Sequence, residues 1–331
     1  MPSHVHQSFY DAISANRRKT FFMVFFFVVL VAAVVWAFAL ATNLAPYAVP
    51  LALVIAIAMA WAGYYSSDKI VLAISQAKPV DKNEFPYLVN ITEAIALGAG
   101  VPVPRLYLIE DTAPNAFATG RNPANSVICV TRGLLTKLDR EELEGVIAHE
   151  MSHIRNYDIL LATVAVTMVG IIALLSDWML RFGLRGGRRR SSGSDGAGGA
   201  AAIFLVIGII VAILAPLVAQ FMRLALSRRR EFQADASAAQ ITRYPQGLAD
   251  ALRKIAADPE PLEVANKATA HLYIWNPLKD REGRMDRLFN THPPVAERIK
   301  ALESMGAEMG GGPESTPGPE AGAGPESPPG S

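Results

Sequence analysis

His149 and His153 stand four residues apart, with Glu150 beside the first, in the run His149-Glu-Met-Ser-His153. On an α-helix, residues i and i+4 lie about 40° apart around the axis, so both imidazoles face one point. Two such imidazoles make a zinc-ligand pair, and a neighbouring carboxylate that does not ligate can handle protons. The chain has six histidines, and chance placement would produce this pattern roughly 0.006 times, so the spacing is specific.

A catalytic zinc needs a third protein ligand and an open position. Glu231 and Asp235, in Glu231-Phe-Gln-Ala-Asp235, are again i and i+4 on a helical stretch. Glu231 can ligate while Asp235 accepts the free N–H of a ligating histidine, which fixes the tautomer. On spacing alone, Glu231 reads equally well as a surface glutamate after Arg228-Arg-Arg230. His292, before Pro293-Pro294, reads from the residues alone as a turn histidine.

The elements that must position these groups are legible. Asp139 with Glu142 forms a capping box that opens a helix running to about Asp158. Before it, residues 83–98 carry helical periodicity, and Gly98 and Gly100 end that stretch. Three extended runs lie between, Arg105–Ile109, Asn115–Gly120 and Ser126–Thr131, with turn residues at 121–125. They predict a small antiparallel sheet packed on the histidine helix. Cys129, the single cysteine, excludes a disulfide framework and a Cys-rich metal site, and reads as a buried thiol.

Hydrophobic residues make up 51% of the chain and charged residues 18%, below the roughly 25% of soluble domains. Mean hydropathy is +0.24. The net charge of +1 gives no global signal for nucleic acid. The apolar surplus sits in four uncharged blocks, 21–41, 44–63, 159–176 and 201–222. Each is close to the ~20 residues that cross a bilayer as a helix. The first block is too long for a signal peptide, and a second follows it directly. Arg17, Arg18 and Lys19 beside it place the N-terminus in the cytoplasm.

The expected organisation is a cytoplasmic segment over 1–20, transmembrane helices one and two over 21–65, and a first catalytic part over 66–158. A third transmembrane helix follows over 159–180, then a basic Gly/Ser-rich loop over 181–200 and a fourth over 201–223. A second catalytic part spans 224–305, and 306–331 is a disordered tail. If Glu231 joins His149, blocks three and four cross together or neither crosses. The arginines at 181–190 would sit outside if both cross, against the positive-inside rule, and a re-entrant hairpin would avoid that.

His149–His153, Asn115-Ala-Phe-Ala-Thr-Gly120, Glu231–Asp235 and Thr291-His-Pro-Pro-Val-Ala-Glu-Arg298 stand in an order that resembles the HtpX-type membrane zinc metalloproteases, relatives of the CAAX prenyl proteases. The resemblance covers residues 15–305. It implies an integral membrane α-helical protein with an α+β zinc metalloprotease domain. It implies one Zn²⁺ on His149, His153 and Glu231, with Glu150 as general base and Asp235 supporting a ligand. His292 and Arg298 are implied to reach the reaction centre. Asn115, Ala116, Phe117 and Ala118 are implied to pair with an extended substrate.

The implied activity is a zinc endopeptidase of the cytoplasmic (inner) membrane, with its site facing the cytoplasm. Its substrates would be polypeptides, among them membrane or misfolded proteins, in quality control and stress response. Its surroundings are the lipid bilayer, with no nucleic acid, and other quality-control proteases stay open as partners. A specific processing protease of CAAX type and an inactive zinc-binding regulator remain alternatives. Glu150 counts against the regulator, because a purely structural site fills its fourth position with protein.

Overall fold

A computed structural model describes residues 9–41, 45–188, 205–206, 208–209, 228–265, 269–277 and 293–310. Two long helices come first, α1 (Phe9–Ala41) and α2 (Ala45–Ile74). Then follow β1 (Lys78–Pro79), α3 (Pro86–Ala99), β2 (Arg105–Ile109), β3 (Ala116–Gly120), β4 (Ser126–Thr131), α4 (Arg132–Lys137) and α5 (Arg140–Arg155). Further helices among the described residues are α6 (Asp158–Arg188), α7 (Arg228–Thr242), α8 (Pro245–Ala257) and α9 (Val295–Gly310).

Among the described residues three segments are long and apolar enough to cross a membrane: Ile13–Trp36, Pro50–Ile74 and Asp158–Arg181. They overlap the first three apolar blocks, and the third contains its block entirely. Most of the fourth block lies outside the described residues. The first two spans are largely exposed and the third is largely buried. The reason is that the start of α6 packs against β3: Thr163 shares a 2.9 Å hydroxyl hydrogen bond with Thr119 and accepts from the Gly120 N–H at 3.1 Å.

The sheet corrects one expectation. Its order is β1-β2-β4-β3, and it is mixed rather than antiparallel. The turn at 121–125 folds β3 back on β4 as an antiparallel hairpin, which leaves the other edge of β4 to pair with β2 in parallel. The periodicity of the runs marked strands but carried no pairing partner. Both β3 and β4 are fully buried. Ala116, Ala118, Ile128 and Val130 face Val146, Ile147 and Met151 of α5, while Phe117, Val127 and Cys129 cluster with Val166 of α6. Period-two alternation thus puts one helix on each face.

The α5 helix opens on the Asp139–Glu142 capping box. It ends at Arg155, short of the expected Asp158, because Tyr157 takes a left-handed φ of 59° and turns the chain into α6. The α3 helix starts at Pro86, where a proline in the first turn loses no hydrogen bond, and stops at Gly100 with φ 68°. Gly145 lets α8 approach α5. A Cβ there would lie 2.7 Å from the Leu248 nitrogen and 2.8 Å from its Cα.

Candidate metal centre

One turn of α5 carries His149 and His153 with their Nε2 atoms 3.2 Å apart. From α7, Glu231 brings Oε1 to 3.7 Å from His153 Nε2 and Oε2 to 3.9 Å from His149 Nε2. Alanines 234, 238 and 239 on α7 are fully buried, and their small side chains allow the close approach to α5. All three ligand atoms lie within 4.8 Å of one another. Two Zn–N bonds of ~2.0–2.1 Å at a tetrahedral angle need nitrogens about 3.3 Å apart. The imidazole pair meets that requirement, and the donor set of two nitrogens and a carboxylate suits zinc.

Behind each imidazole stands a carboxylate. Asp235 Oδ1 lies 2.9 Å from His149 Nδ1. Asp158 Oδ2 lies 3.0 Å from His153 Nδ1. Each can accept the Nδ1–H, which leaves Nε2 as the free lone pair of a neutral ligand. Burial, outweighing the hydrogen bond to Asp235, pulls His149 down to about 4, so that imidazole is neutral near pH 7. His153 responds in the opposite sense. Burial opposes its charge, but the hydrogen bond to Asp158 and the Glu231 carboxylate lift it to about 9.

Arg298, from the first turn of α9, is wholly buried. Its Nε and Nη2 donate to the two oxygens of Asp235 at 2.8 and 2.7 Å, and Nη1 donates to the Ile274 carbonyl at 3.1 Å. Nη1 is also 3.8 Å from Glu231 Oε2. The guanidinium therefore lies behind the ligands, gripping the carboxylate that holds His149. Burial opposes the Asp235 charge, yet Arg298 holds that carboxyl down at about 2. His292 lies outside the described residues.

Glu150 is buried beside the ligands, and burial raises its carboxyl to about 7. It receives a hydrogen bond from the backbone of Ala118 on β3. A carboxyl poised near neutrality is suited to taking and returning a proton.

β3 is an edge strand, and another part of the chain lies along it. The Ile274 N–H donates to the Ala116 carbonyl at 2.9 Å. Asn115 Nδ2 donates to the Trp275 carbonyl at 3.1 Å. Phe117 points to the other face of the strand, its ring 4.9 Å from that of Tyr273. The cavity beside the ligands has a volume of about 50 Å³, and residues 271–274 form part of its wall.

Sequence reasoning missed the support of His153. Asp158 also accepts from Asn16 Nδ2 at 2.7 Å and from Arg230 Nη1 at 3.1 Å. Its position five residues after His153 was the available signal for Asp158. Asn16 carried none, since it lies 142 residues away along the chain.

The chain is similar to known proteins along most of its length. Residues 82–306 match the family model described as peptidase family M48. A protease HtpX homolog of Dictyoglomus thermophilum is 45% identical over 90% of this chain and 95% of that protein. A protease HtpX homolog of Listeria monocytogenes serotype 4a is 43% identical over 89% of this chain and 99% of its own length. The crystal structure of S. mikatae Ste24p aligns with a TM-score of 0.47 at 19% identity, covering 82% of this chain and 62% of that one.

Proposed function

Because this chain belongs to peptidase family M48, among the HtpX-type membrane metalloproteases, we propose that it is a zinc endopeptidase that hydrolyses membrane or misfolded proteins at the cytoplasmic face of the inner membrane. The observation that carries the reading is one turn of α5 bearing His149, Glu150 and His153, with the Glu231 carboxylate 3.7–3.9 Å from the imidazole nitrogens. His149, His153 and Glu231 would hold the metal.

Zinc held there supplies a Lewis acid and acidifies a water toward a pKa of ~7. The work of the chain is the remainder. Glu150 removes a proton from the attacking water and later delivers it to the leaving amine. Asp235 and Asp158 keep both imidazoles aimed through Nε2. Arg298 fixes Asp235 and adds positive charge close to Glu231. His292 remains a candidate donor to the developing oxyanion, where losing such a donor typically costs ~10²–10³ in rate. The main chain at Asn115–Ala118 would pair with an extended substrate, as in strand addition.

The cytoplasmic assignment has two supports. Arg17, Arg18 and Lys19 flank the first apolar block, as the positive-inside rule requires of a cytoplasmic end. Asn16, beside them, bonds Asp158 of the metal centre, so that end of α1 and the site share one side. A catalytic domain joined so closely to its spans meets membrane proteins first, which favours quality control over processing of one soluble partner.

The test is zinc content together with casein cleavage, for wild type and Glu150→Gln purified in detergent with chelator and then given Zn²⁺. About one zinc per chain in both, with cleavage only by the wild type, is the expected result. Zinc bound by both without cleavage by either would overturn the protease reading in favour of a regulator.

A further inference from the structure

On the side of the spans nearest the catalytic domain lies a second cavity, of about 870 Å³, separate from the metal centre. One wall is a face of α1: Arg17, Phe21, Val24 and Val28, at helical spacings of four, three and four. The opposite wall is a face of α2 that includes Ile57, Trp61 and Tyr64. The turn between β3 and β4, with Arg121 and Asn122, closes the mouth. The cavity therefore changes character along its length. Its mouth is basic and aromatic, and its depth between the two spans is wholly apolar.

The cations at the mouth are held by ring faces, not by acids. The Arg17 guanidinium sits 4.5 Å from the Tyr157 ring centroid, and that of Arg121 sits 5.1 Å from the Tyr65 centroid. Among the described residues neither has a carboxylate partner. This contrasts with Arg230, Arg298 and Arg132, each of which is paired with an acid. Stacking orients a guanidinium while leaving N–H groups of its fork open to an anion; Arg121 Nη1 also reaches the Tyr65 carbonyl, at 3.5 Å. Trp61 is 64% exposed and Tyr65 46%, which fits aromatic side chains at the level of lipid headgroups.

We propose that this cavity binds one anionic phospholipid from the leaflet next to the catalytic domain. The headgroup phosphate would be received by Arg17 and Arg121, and an acyl chain would lie against Phe21, Val24, Val28 and Ile57. Two unneutralised cations above an apolar slot complement a lipid that carries a negative head on a hydrocarbon tail. A soluble anion would use the mouth and leave the slot empty. A zwitterionic lipid would use the slot and gain little from the cations. The proposal rests on the spans lying in a bilayer and is independent of proteolysis, so it is read by binding.

The full chain, delipidated in dodecyl maltoside, is titrated with dioctanoyl phosphatidylglycerol, dioctanoyl phosphatidylcholine or inorganic phosphate, and its thermal midpoint is followed. Phosphatidylglycerol should raise the midpoint saturably, at concentrations at least tenfold below those needed by phosphatidylcholine, and phosphate alone should leave it unchanged. The double variant Arg17→Gln/Arg121→Gln should need at least tenfold more phosphatidylglycerol. Ile57→Trp, which keeps both arginines and fills the slot, should weaken the response as well and serves if the double variant does not fold. Equal responses to the two lipids, a full response to phosphate, or variants that titrate like wild type would overturn the proposal. So would light scattering showing that the arginine variants dissociate a dimer, because a second copy would then be the occupant.

Discussion

Asp158 joins two distant parts of the chain: one carboxylate oxygen accepts from Asn16 on α1 at 2.7 Å, and the other lies 3.0 Å from the Nδ1 of His153. A residue in the first long helix is thereby two hydrogen bonds from the His153 imidazole, one of the proposed metal ligands. Asp158→Asn keeps the shape but loses the charge. Such partners of ligating histidines are typically worth 10–100-fold in metal affinity or activity. Competition with a chromophoric chelator should give a zinc Kd raised within that range, and an unchanged Kd would remove Asp158 from the support of the site.

Glu150→Gln should bind zinc as wild type does and lose at least ~10²-fold in proteolytic rate, the lower end of what positioned proton transfer contributes. Metal analysis and casein cleavage on one preparation separate the two effects. A rate within tenfold of wild type would remove Glu150 as the base.

Arg298→Ala leaves Asp235 charged and buried without its bidentate partner. Breaking a buried pair on one side typically costs ~3–5 kcal/mol. Thermal unfolding in detergent should show a large fall in midpoint, and Arg298→Lys should recover only part of it, since an ammonium cannot match the fork. A midpoint within one or two degrees of wild type, on a two-state transition, contradicts this account.

Gly145→Ala tests the approach of α8 to α5. The added carbon would fall 2.7 Å from the Leu248 nitrogen, a main-chain atom that cannot swing aside. Overpacking of this kind costs ~1–3 kcal/mol. Because Gly145 is one turn before His149, the variant should also weaken zinc binding. Normal stability and normal zinc affinity together would show that the interface gives way freely.

Chelation should act on stability as well as on activity. The ligand set is assembled only in the fold, so zinc at 100 times its Kd contributes about 2.7 kcal/mol. Removing it with EDTA should lower the unfolding midpoint, and restoring Zn²⁺ should recover both midpoint and cleavage. Stability indifferent to chelator would mean that the three side chains do not act as one site.

Legibility followed the range of the interaction. The α5 helix, its capping box and the convergence of His149 with His153 are set within a few residues, and spacing revealed them. The extended runs at 105–109 and 126–131 were visible as strands, but their parallel pairing depends on which edge of β4 the hairpin leaves open. That is decided by tertiary packing. Asp235 was found because it shares a helix face with Glu231. Asn16 stayed hidden because a lone asparagine before an apolar block has no local pattern, and only the folded chain brings it to Asp158. The end of α5 was misjudged because Tyr157 adopts a left-handed conformation that its residue type does not announce.

The Ile274 N–H on the Ala116 carbonyl has a kinetic meaning. A substrate strand that pairs with β3 must displace a rival tethered to the same chain. Attachment to the same chain gives such a rival an effective concentration that, for linked segments, is on the order of millimolar. A peptide diffusing freely at micromolar concentration is then outnumbered about a thousandfold, a handicap of about 4 kcal/mol. A polypeptide confined to the same membrane, and repeatedly presenting unpaired backbone, narrows that gap through its own local concentration. Selection would then follow from persistence near the enzyme more than from any preferred residue at the cut.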